Sequence, residues 1–135
     1  MQPHPYLRAY LAGIAVPTPL LLVAMMAFIF FRYILNVPIP IERAIVFPMA
    51  VVPNAWGLWN MLHLALQSRF RISLGIHGAL LPVLLIPAGV LLIHLLDISG
   101  LTPAIIGLGA PFALIIYYLL WKHLVGYLNH VLGIA

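Results

Sequence analysis

Four long apolar runs, divided by three short polar breaks, make up the chain. The first run extends from Ala9 to Phe31. The breaks hold Asn36, Pro38, Pro40, Glu42 and Arg43, then Gln67, Ser68, Arg69 and Arg71, then Asp97, Ser99 and Gly100. Each run has about the 20 residues that a helix needs to cross a bilayer core. The period-two alternation of a membrane β-barrel is missing. A backbone in hydrocarbon must satisfy its own polar groups, so helices remain. The pattern predicts an all-α integral membrane protein with four antiparallel transmembrane helices and short loops. They fall at about 5–35, 43–66, 75–96 and 103–125, in one domain over 1–135. Connections this short force consecutive helices to be antiparallel neighbours. Thr102 reads as the N-cap of the fourth helix, with Pro103 at its first position.

The last stretch has a different pattern. Lys122, His123, Gly126, Asn129, His130 and Gly133 alternate at helical spacing with Leu124, Val125, Leu128, Val131 and Leu132. A helix from Pro103 to Ala135 would be about 50 Å long at 1.5 Å per residue, longer than the bilayer core. An amphipathic C-terminal extension over about 122–135 is therefore expected along the membrane surface, turning near Gly126. A straight protruding end is the alternative.

Composition agrees with this placement. Of 135 residues, 65% are hydrophobic and only 6% charged, against about 25% charged in a soluble domain. Eight charged side chains could not cover a soluble fold, and four spans leave no room for a soluble catalytic domain. Cysteine is absent, which excludes thiol catalysis and thiolate metal sites. The net charge of +4 comes from scattered residues, so no basic stripe suits nucleic acid. The first apolar run is longer than the core of a signal peptide and is expected to stay as a helix. With the N-terminus inside, Arg8, Arg69, Arg71 and Lys122 fall on the inner side and Arg32 and Arg43 on the outer. That bias predicts a bacterial inner-membrane protein with both termini cytoplasmic. Tyr6, Tyr10, Tyr33, Trp121 and Tyr127 fall near the expected interfaces.

Twelve prolines are present, and Pro17, Pro19, Pro48, Pro53, Pro82, Pro87 and Pro111 interrupt the apolar runs. Each removes one backbone donor and kinks its helix. Such breaks also line the substrate sites of transporters. Small residues recur at helical spacing: Ala9 and Gly13, Gly75 and Gly78, then Ala104, Gly107 and Ala110, with Gly109 and Ala113 beside them. They suit close helix approach, and the fourth helix is expected to pack tightly inside the bundle or against a second copy.

Three groups of polar residues could carry function. At about 100° per residue, Trp56, Asn60, His63 and Gln67 form one stripe on the second helix, with Trp59 at its edge. A polar stripe within a span must face other helices or water. It either glues the bundle or lines a cavity. His63, His77 and His123 come from three helices and are expected in one inner layer, where imidazoles could hold haem or another metal. Arg32, Glu42, Arg43, His94 and Asp97 form an outer charge cluster that reads as a loop-anchoring set. Glu42 and Asp97, the sole carboxylate side chains, lie at helix ends, which argues against a proton-coupled exporter. No nucleophile elbow or phosphate loop occurs, so an enzyme is not expected. The expected function is that of a small non-catalytic membrane protein, an accessory or structural subunit packing against itself or a partner membrane protein. No cofactor is expected. The alternatives are a His-ligated haem or metal protein, and a small transporter or channel using the polar face.

Overall fold

The computed structural model describes residues 3–38, 41–97 and 102–134, with backbone alone for 41–48. Among the described residues every regular element is a helix. They are α1 (Pro5–Ala15), α2 (Pro17–Tyr33), α3 (Ile41–Leu66), α4 (Leu74–Leu95), α5 (Pro103–Leu120) and α6 (Gly126–Val131). A five-residue π-helical turn, Trp121–Val125, joins α5 to α6. Three described segments are long and apolar enough to cross a membrane: Pro5–Tyr33, Leu74–Leu95 and Pro103–Val131.

Local chemistry explains the boundaries. The first helix, expected unbroken over about 5–35, is interrupted at Val16 and ends at Tyr33. Pro17 and Pro19 lack the N–H groups that would bond the Gly13 and Ala15 carbonyls. Thr18 Oγ1 donates to the Ile14 carbonyl at 2.6 Å within the same break. Ser73 caps α4 by accepting from the Ile76 N–H, and Thr102 caps α5 by accepting from Ile105, each at 3.4 Å. The loop residues Ser99 and Gly100 lie outside the described residues.

The helices form two pairs. α1 and α2 pack along α3, and α4 packs along α5. The pairs join at one end, where α1 also meets α6 and α4 meets the π turn. Val16, Trp56, Leu81, Trp121 and Val125 make the buried apolar core there. Trp56 and Trp121 stand 5.2 Å apart between ring centroids, and Trp56 and Tyr117 stand 4.9 Å apart. Glycines permit the approach. A β-carbon at Gly13 would sit 2.5 Å from the Trp56 carbonyl oxygen and 2.7 Å from Gly57 Cα. One at Gly78 would fall inside the Trp121 side chain.

Away from this firm end the pairs leave much apolar surface uncovered. Met26 is 69% exposed and Leu108 74%. No α5 residue is buried among the described residues, and a β-carbon at Gly107 or Gly109 would meet nothing within 4 Å. Among the described residues, then, no helix makes the expected tight packing at these two glycines. The glycines that bring helices together are Gly13, Gly57, Gly75 and Gly78.

The C-terminal segment also departs from expectation. Over Lys122–Val131 it continues as helix rather than forming a separate surface segment, and Trp121, Val125 and Asn129 are buried. A regular helix drifts by about 40° over each four-residue step. The π turn takes up that drift: the Gly126 N–H bonds the Trp121 carbonyl, five residues back. Trp121, expected near an interface, is therefore fully buried against Trp56.

Candidate functional site

The α3 stripe runs from the core to the edge of the firm end. Trp56 and Asn60 are buried, His63 is half-buried and Gln67 is exposed. All four expected positions thus follow one face, from the interior outward. At its centre Asn60 Nδ2 donates to the Ala9 carbonyl of α1 at 2.7 Å and to Asn129 Oδ1 of α6 at 2.8 Å. Asn129 Nδ2 donates back to Asn60 Oδ1 at 3.1 Å. Two buried amides thereby form a reciprocal pair that ties three helices together. Each satisfies the other, which removes the penalty of burying an unpaired amide, about 1–3 kcal/mol.

A second reciprocal pair joins α3 to α4. Trp59 Nε1 donates to the His77 carbonyl at 2.7 Å, and His77 Nε2 lies 2.9 Å from the Trp59 carbonyl. A carbonyl only accepts, so His77 carries its proton on Nε2 and leaves Nδ1 as an acceptor. The Trp59 and His77 rings stack at 4.8 Å, and the His63 ring stands 4.8 Å from His77 on a tilt. Gly75 and Gly78 let α5 and the π turn close over this side of α4.

Beside the amide pair lies a cavity of about 270 Å³. Asn60, Asn129, His63, Gln67 and Ser73 give it polar walls, with Leu64, Ile72, Leu74 and Ile134 between them. Farther along α3, a cleft of about 230 Å³ between α3, α4 and α5 is apolar, lined by Val52, Pro82, Leu85, Ile93, Ile106 and Tyr117. Val52, Trp56, Asn60 and Leu64 follow one another at four-residue steps, so the cleft and the cavity share a face of α3. The Trp56–Trp121 pair and the amide pair lie on that face between them. Among the described residues, neither buried indole N–H has a hydrogen-bond partner.

The expected histidine layer forms in part. His63 and His77 come together, whereas His123 is exposed on the π turn. Among the described residues no three metal-binding side chains gather. A metal–nitrogen distance of about 2.1 Å keeps two imidazole centroids on opposite sides of one metal roughly 6 Å apart. His63 and His77 at 4.8 Å are too close to flank a haem iron as placed. In the outer cluster, Arg32 lies 5.9 Å from the Tyr33 ring centroid. His94 and Asp97 are exposed at the end of α4, with Asp97 in the left-handed region at φ 51°. The side chains of Glu42 and Arg43 lie outside the described residues.

Three interactions were not legible in the sequence. Asn129 pairs with Asn60, Tyr10 donates its hydroxyl to Asn54 Oδ1, and Arg8 Nη1 donates to the Leu132 carbonyl at 3.3 Å. Asn129 carried the best signal: an amide on a mainly apolar helix, as Asn60 is. Comparison with protein-family models, curated proteins and solved structures finds no match.

Proposed function

We propose that this chain is an integral membrane protein with no catalytic role of its own, acting as an accessory subunit completed by a second copy or a partner membrane protein. In this reading it spans a bacterial inner membrane four times with both termini cytoplasmic. Three membrane-length apolar helices support the placement. The gathering of Arg8, Arg69, Arg71 and Lys122 at the firm end supports the orientation. The association itself is carried by one observation: no described α5 residue is fully buried, and among the described residues a β-carbon at Gly107 or Gly109 would meet nothing within 4 Å. Small residues let helices meet closely in lipid, and among the described residues no helix meets Gly107 or Gly109.

The absence of cysteine makes a direct test simple. A Gly107→Cys variant carrying a benzophenone maleimide is irradiated in native membranes. The expected product is a single discrete adduct with a second copy or one membrane protein. The same label at Met26→Cys, on α2, should give only lipid adducts. Loss of any protein adduct at position 107 would overturn the reading.

The polar cavity favours a second reading, a small transporter or channel whose pathway follows the α3 face. Polar side chains inside a span commonly mark such pathways. If so, His63→Leu should cut glycerol flux into reconstituted vesicles severalfold. Unchanged flux would remove the α3 face from any pathway.

A further inference from the structure

The firm end holds a cavity whose polar walls carry no formal charge. The lining amides of Asn60 and Asn129 are at least nine-tenths buried, at 1% and 3% exposure. Their mutual bonds leave capacity unspent. Asn60 Nδ2 uses both hydrogens, on Ala9 and on Asn129. Asn129 Nδ2 uses one, on Asn60, and keeps the other. Each amide oxygen accepts one bond and has room for a second. On the wall, the His63 ring makes no hydrogen bond among the described residues, and in its neutral form it presents one donor and one acceptor. At the rim, Ser73 Oγ accepts from Ile76 and retains its hydrogen for donation.

Donors and acceptors therefore line the space in similar number, while among the described residues no carboxylate, ammonium or guanidinium does. A charged guest would lose its hydration and gain no counter-charge, which costs several kcal/mol per ion. A neutral molecule with both hydroxyl or amide donors and acceptors would lose little. The apolar side chains between the polar ones suit the C–H faces of such a guest. At about 270 Å³ the cavity lies at the small end of ligand pockets.

We propose that this cavity binds a small neutral polyol, held by the Asn60–Asn129 amides and His63. The site requires neither transport nor association. It requires only the firm end, so its test is independent of both readings above.

The cysteine-free chain again supplies the assay. Ser73→Cys places one thiol at the exposed rim. Its reaction rate with N-ethylmaleimide is measured on the full-length protein in glycerol-free detergent. The probes are erythritol, glycerol 3-phosphate as the anionic analogue, choline as a cation, and sucrose as a bulky neutral control. Erythritol at about twice its dissociation constant should slow the reaction about threefold, by mass action. The other three should leave the rate unchanged. Equal protection by sucrose, stronger protection by either ion, or no protection by erythritol would each overturn the proposal. A second thiol, at Gln67→Cys, repeats the test should the Ser73 variant fold poorly. Adding His63→Phe, which fills the wall, should abolish protection while the melting temperature holds. Protection that survives this change would also overturn the proposal.

Discussion

Gly13→Leu is expected to part α1 from α3 and to give the largest loss of stability of any single substitution on α1. A β-carbon at Gly13 would sit 2.5 Å from the Trp56 carbonyl oxygen and 2.7 Å from Gly57 Cα, both backbone atoms. A side chain could turn aside, but a helix backbone cannot. The helices must separate, and Ala9, Ala12 and Val16 lose their contacts with it. Overpacking of this kind costs about 3 kcal/mol or more. The melting temperature in detergent should fall on the order of 10 °C. Met26→Leu, at a side chain 69% exposed on α2, should leave it unchanged. Equal effects at the two positions would mean that α1 and α3 do not meet as described.

Asn60→Leu is expected to be nearly as damaging for a different reason. The two side chains are similar in size, so little packing is lost. What goes is the bond to the Ala9 carbonyl and both bonds to Asn129. Asn129, 3% exposed, is left with an unpaired amide. An unsatisfied buried polar group costs about 1–3 kcal/mol. Interhelical bonds in lipid average nearer 0.6 kcal/mol, because a loosened helix finds other partners. Asn129 loses both of its side-chain bonds, so about 2 kcal/mol is the expected loss, read from thermal or denaturant unfolding in detergent. Asn54→Leu, whose amide is exposed, should cost much less.

The two substitutions probe features that differ in how visible they are from sequence. The α3 face was legible, because Trp56, Asn60, His63 and Gln67 repeat at a helical period and polar residues cannot face hydrocarbon. The Thr102 cap was legible for a similarly local reason. Asn129 was not. Its polarity showed, but its partner depends on how α6 is turned, and the π turn at Trp121–Val125 sets that turn. Counted at 3.6 residues, Asn129 shares a face with Lys122 and Gly126 and would turn to the surface. With the π turn it falls in line with Trp121 and Val125, facing the core. The small residues erred in the opposite direction. Gly107 with Ala104 and Ala110, and Gly109 with Ala113, have the spacing of packing faces, yet among the described residues no helix meets either glycine. Spacing reports what a face could accept, and the rest of the bundle decides what arrives.

The same logic covers the histidines. His63 and His77 flank the α3–α4 connection, so a short turn brings them within 4.8 Å. His123 had to arrive from a third helix, and its exposed position on the π turn follows from that helix burying Trp121 and Val125 instead.

The buried Asn60–Asn129 pair ties α3 to α6 and forms one wall of the polar cavity. A double-mutant cycle in unfolding free energy tests it most directly, with Asn60→Leu, Asn129→Leu and the double variant. A reciprocal amide pair predicts strong coupling: the double variant should be no less stable than either single one, with an interaction of about 1–3 kcal/mol. Losses that simply add would show that the two amides do not meet, and the cavity wall they form would fall with them.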